Sequence, residues 1–160
     1  EAEGIVCTGP FSSLEDLDIY LPDFEFAKKR GLKLLCANPD IIVDRGSVRE
    51  WCAGALAKMY TDLGGESLYF GKPFKPIYDL ARRRLEASGA QIKNNRILAI
   101  GDGITTDILG AEQEGIDSLF ITGGLAALET GTKEQPDQDL LKHYLDQQKL
   151  SPAYSIGFLR

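Results

Sequence analysis

Asp102 and Asp107 stand five residues apart in Ile97-Leu98-Ala99-Ile100-Gly101-Asp102-Gly103-Ile104-Thr105-Thr106-Asp107, where the hydrophobic period changes. The apolar run from Ile97 to Ile100 is too short for a helix and predicts a buried parallel strand that stops at Gly101. Asp102 then sits at that strand's carboxyl end. Beyond it, Ile104, Ile108 and Ala111 take helical spacing, with Thr105 or Thr106 placed to cap the first turn and Asp107 inside that turn. Ligands of open α/β sheets bind outside the carboxyl ends of the strands. Two carboxylates there offer the oxygen ligands that a hard divalent cation such as Mg²⁺ takes, with positions left for water and a phosphate.

Three other stretches carry possible chemistry. Gly71-Lys72-Pro73 follows a short apolar run, and a lysine ammonium held in such a turn suits neutralisation of a phosphate or of crowded carboxylates. In Cys36-Ala37-Asn38-Pro39-Asp40 a strand end meets a polar corner, where Asn38 and Asp40 either bond a substrate or shape the loop. Thr122-Gly123-Gly124 either lines the same crevice with backbone amides or is only a turn. His143 is the only histidine and lies among Leu141, Tyr144 and Leu145, which argues against a catalytic triad, and Trp51 reads as a packing residue.

The chain has 160 residues, 43% of them hydrophobic, enough for one sizeable core or for one domain plus part of another. Its net charge of -6 leaves nothing to neutralise a run of phosphates, so no nucleic-acid partner is expected. Cys7, Cys36 and Cys52 are odd in number, lack CxxC spacing and read as reduced packing residues of a cytoplasmic protein. No apolar run reaches membrane-spanning length, and Glu1-Ala2-Glu3-Gly4 is unlike a signal peptide.

The elements expected to position these residues alternate. Strands are predicted at 4–8, 32–37, 68–70, 97–100 and 118–121, with an edge strand in 153–158. A helix capped by Ser12 or Ser13 is expected before Gly31, kinked or divided near Pro22. Others are expected at 48–62, between Pro73 and Gly89, at 104–113 and at 136–149, while 41–46 reads as a loop. This alternation predicts an α/β chain built on a mostly parallel sheet.

Taken together, Ala37-Asn38-Pro39-Asp40, Gly54-Ala55-Leu56, Gly71-Lys72-Pro73, Gly101 to Ile108 and the Gly110-Ala111 to Gly115 spacing resemble the haloacid dehalogenase superfamily of phosphatases. Within it they are most similar to the subclass IIA, NagD-like and p-nitrophenylphosphatase-like members. The resemblance implies a Rossmann-like core, incomplete here, with residues 1–66 forming part of an α/β cap and 67–160 the second half of the core. By position, Lys72 matches the lysine that steadies nucleophile and phosphate, Asp102 the aspartate that ligates Mg²⁺, and Asp107 the second acid of that motif. Asn38 and Asp40 match the cap stretch that reaches over a small phosphorylated substrate.

One departure is large. The family's Asp-x-Asp after an apolar strand, source of the attacking aspartate, has no counterpart, since Asp16-Leu17-Asp18 follows no strand. The strand-end Ser or Thr of the second motif is also absent, Thr8 matching the cap instead. The sequence therefore reads as the carboxyl-terminal part of a longer phosphatase working through an aspartyl-phosphate, inactive alone. It is expected to need a missing N-terminal segment or to self-associate. A non-enzymatic metal- or phosphate-binding module is the alternative. A dinucleotide-binding unit is disfavoured, because Gly101-Asp102-Gly103 lacks the third glycine and puts a carboxylate where pyrophosphate would lie.

Overall fold

The structure, a computed structural model, describes residues 2–12 and 14–159. The chain divides into two compact units, Glu1–Ile77 and Tyr78–Arg160. It is a mixed α/β chain with parallel sheets, as its sequence predicts.

In the first unit β1 (Gly4–Cys7), β2 (Lys33–Cys36) and β5 (Glu66–Tyr69) form a parallel sheet in the order β1-β2-β5. Strand alternation sends Cys7, Leu34 and Cys36 to one face, where they pack with Phe24 and Ala27 of α1 (Leu21–Lys29) and with Leu56 and Tyr60 of α2 (Ala53–Asp62). The Tyr60 hydroxyl donates to the Leu32 carbonyl, so this fully buried ring leaves no polar atom unpaired. The opposite face presents Val6 and Leu68 to solvent.

The second unit holds β6 (Leu98–Gly101), β7 (Asp117–Ile121) and β8 (Tyr154–Ile156), all parallel in the order β6-β7-β8. Phe120 is wholly buried and packs with Ile108, with Ala126 and with Leu141 of α5 (Gln138–Gln148). The Asp137 carboxylate caps α5 by accepting from the amides of Asp139 and Leu140. On the other face of this sheet Leu98 and Ile100 are 45% and 50% exposed. α3 (Lys75–Ala87), which carries the chain from one unit into the next, buries none of its residues. Arg82 of α3 pairs with Glu114, beside which the Asn94 side chain donates to the Glu114 carbonyl.

Three sequence expectations are corrected. Residues 41–46 are not a loop and the helix does not begin at 48. Ile42–Arg45 and Val48–Trp51 pair antiparallel as the hairpin β3–β4, and α2 starts only at Ala53. The hairpin turns on Gly46-Ser47 with Gly46 at φ 64°, the left-handed region that glycine enters without steric cost. Ahead of α1 the chain forms a short 3-10 turn over Leu17–Tyr20, whose first turn is capped by Asp16 and not by Ser12. Ser13, the other candidate, lies outside the described residues. Trp51 does not pack inside but sits 40% exposed on β4.

Burial also tunes the thiols. Cys36 is pushed from 9.0 up to about 11 by burial, while a backbone hydrogen bond with Asn38 pulls the other way. A folded-state pKa above the unfolded one gives stability that is complete below the unfolded value and is lost as pH rises through the folded value. The urea midpoint of the first unit is therefore expected to fall between pH 9.0 and about 11, and this slope should flatten in Cys36→Ala.

Candidate functional site

The acids of the second unit lie where β6 ends. Asp102 follows the strand directly, and one of its carboxylate oxygens accepts from the Leu125 amide at 3.2 Å. Gly124 presses so close that an added Cβ would lie 2.0 Å from that same oxygen. The Thr122-Gly123-Gly124 stretch after β7 thus does wall the Asp102 carboxylate. The Thr122 hydroxyl beneath it, fully buried, donates to the Ile156 carbonyl and accepts from Thr132. This fixes the loop from below.

Asp107 is held by a device the sequence reading missed. Residues Ile104–Ile108 form one π-helical turn, in which the Asp107 and Ile108 amides both donate to the Gly103 carbonyl. Such widened turns occur often at functional sites. Neither Thr105 nor Thr106 caps the turn; the Asp107 carboxylate bends back and accepts from the Gly103 amide at 3.1 Å. A Cβ on Gly101 would stand 2.2 Å from the same carboxylate. Gly101 is therefore required by close approach rather than by any unusual φ. Both acids are half-buried.

In the first unit three separated sequence blocks meet. The Asn38 side chain accepts from the Asp40 amide, which makes the corner an Asx turn. The Asp40 carbonyl accepts from the Gly54 amide at 3.0 Å, and the Cys36 carbonyl accepts from the Phe70 amide at 3.0 Å. Gly71 lies against the Pro39 ring, 2.2 Å from where its Cβ would be. The corner bearing Asn38 and Asp40 and the turn bearing Lys72 are thus built on one another. Lys72 itself is exposed, in the turn closed by the Phe74 amide donating to the Gly71 carbonyl at 2.8 Å.

Gly54 at the first turn of α2 is the hinge of this packing, since an added Cβ would sit 2.0 Å from the Pro39 carbonyl oxygen. Backbone cannot step aside as a flexible side chain can. Gly54→Ala is therefore expected to cost about 1–3 kcal/mol by overpacking, read as a lower urea midpoint.

Elsewhere, His143 is exposed on α5 within hydrogen-bonding distance of Gln147 and touches neither cluster. Among the described residues no three His, Cys, Asp or Glu side chains gather to cage a metal. Asp102 and Asp107 offer oxygen only, in the small number that Mg²⁺ accepts when waters and a phosphate complete its shell. Their chemistry fits that ion.

A HAD-hydrolase-like family model matches residues 69–147, the segment that contains Lys72, Asp102 and Asp107. A crystallised haloacid dehalogenase-like hydrolase from Brucella suis is 39% identical over 100% of this chain, with a TM-score of 0.79. Residues 69–147 belong to the haloacid dehalogenase-like family. In fold it also resembles a p-nitrophenyl phosphatase from Archaeoglobus fulgidus, 19% identical over 97% of this chain with a TM-score of 0.67. A possible sugar phosphatase of the same superfamily from Cytophaga hutchinsonii is 20% identical over 88% of it, with a TM-score of 0.65. The chain covers 56%, 53% and 49% of these three proteins, about half of each. No curated protein matches it.

Proposed function

We propose that the protein carrying this chain is a Mg²⁺-dependent phosphoric monoester hydrolase acting on a small phosphorylated metabolite in the cytoplasm. The observation that supports this most is the pair of carboxylates at the carboxyl end of β6, each oriented by a backbone amide and hemmed by glycine. Asp102 is the proposed ligand of the ion and Asp107 its companion acid. The ion, when bound, supplies positive charge to the equatorial phosphoryl oxygens. Lys72 adds a second cation for the same oxygens. Asn38 and Asp40 contact the substrate, in a cap formed by residues 1–66 that serves a core of residues 67–160.

The attacking carboxylate is assigned to a segment outside these 160 residues, because no strand among the described residues carries an Asp-x-Asp. The uncovered Leu98 and Ile100 on β6 favour that companion segment, since parallel sheets are ordinarily covered on both faces. Among the described residues no helix is long and apolar enough to cross a membrane. The test is phosphate release from p-nitrophenyl phosphate by the protein that carries this chain together with its companion segment. Release that Mg²⁺ restores after chelation supports the proposal. Binding of Mg²⁺ and phosphate without release would favour the non-enzymatic module.

A further inference from the structure

We propose that Cys7 and Cys36 form a redox-sensitive dithiol that a small-molecule disulfide closes into a bridge between β1 and β2. The two residues are direct partners in the parallel register, Cys7 opposite Cys36, and both side chains point to the same buried face. Neighbouring strands lie about 4.8 Å apart, inside the Cα separation of roughly 4.4–6.8 Å that disulfides span. In-register side chains of parallel strands run side by side, so the two sulfurs need only a rotamer change and a small approach. β1 is the edge strand of its sheet and ends at Cys7, so that only one neighbouring strand holds it. Cys52 stands apart from this register, in the extended residue that opens α2.

The reaction balances with the disulfide as oxidant. The Cys7 thiolate, on the less deeply buried of the two residues, attacks one sulfur of the reagent, forming a mixed disulfide and expelling a thiolate. The Cys36 thiolate then attacks the Cys7 sulfur, closes the bridge and expels the second thiolate. The two cysteine protons end on the two released thiols, so the protein loses two electrons and the reagent gains them. Burial pushes both cysteine thiols up, which makes closure slow near neutrality and faster as pH rises. Closure also has a local consequence. Cys36 now donates its S–H to the Asn38 carbonyl at 3.3 Å, and oxidation removes that donor from the polar corner.

The test uses thiol mapping alone and does not depend on the phosphatase reading. The folded protein is treated with glutathione disulfide, quenched in acid, unfolded, alkylated and digested. The expected product carries one alkylated cysteine, Cys52, and a Cys7–Cys36 linked peptide that dithiothreitol releases. Cys7→Ser and Cys36→Ser should each abolish the bridge. Three alkylated cysteines, a persistent mixed disulfide, or a bridge to Cys52 overturns the proposal. So does a share of Cys7–Cys36 pairing among the bridges formed that is no higher in the folded protein than in urea, because register would then play no part.

Discussion

Asp102→Asn is expected to lower kcat for p-nitrophenyl phosphate by about 10²–10³ and to raise the Mg²⁺ concentration needed for half-maximal activity. The substitution separates charge from structure. The Asp102 carboxylate accepts from the Leu125 amide, and an asparagine carbonyl can accept the same bond in the same space. The loop after β7 should therefore keep its place, and the urea midpoint should move little. What is removed is the anion at the strand end, which the cation requires. Asp107→Asn should have the smaller effect, because Asp102 is the proposed ligand of the ion and Asp107 only its companion acid. If Asp102→Asn leaves kcat and the Mg²⁺ requirement unchanged while the protein stays folded, the metal is held elsewhere.

The strand ending in Gly101 and the acid after it were legible in the sequence because both signals are local. Four apolar residues cut off by Gly-Asp-Gly have few other solutions in an α/β chain. The alternation of strand and helix was legible for the same reason, and so was the fold class. The hairpin was not, although its Gly46-Ser47 turn is a usual two-residue connection. Val48 happens to fall at helical spacing from Cys52 and Ala55, and that coincidence outweighed the strand pattern of only four residues. The π-helical turn was hidden more deeply. It depends on Asp107 reaching back to the Gly103 amide, a choice made by packing under Gly101 and not by helix propensity. Likewise the contact of Gly71 with Pro39 joins residues over thirty positions apart, and no local pattern predicts it. Sequence resemblance named Gly54, Lys72 and Asn38 separately, while the structure supplies the reason that the corner at Pro39 seats against both glycines.

Lys72→Met, which keeps the length of the side chain and removes its charge, is expected to reduce kcat by about 10²–10³ with little change in the urea midpoint. Lys72 is exposed, so its stem carries no core packing, and the turn that holds it is fixed by Gly71 against Pro39. A cation that neutralises a phosphoryl group does most when charge spreads over the equatorial oxygens, so the loss should fall on kcat more than on KM. Lys72→Arg should recover only part of the rate, because a planar fork does not replace a compact ammonium at one point. A Gly71→Ala variant supplies the complementary case. It leaves the charge in place but drives a Cβ into the Pro39 ring, so it should displace the turn and the Asn38–Asp40 corner together. Loss of rate in Lys72→Met at unchanged stability, alongside loss of both in Gly71→Ala, is the pattern expected if the glycine positions the turn and the lysine performs its chemistry. Equal and small effects of both would remove Lys72 from the reaction.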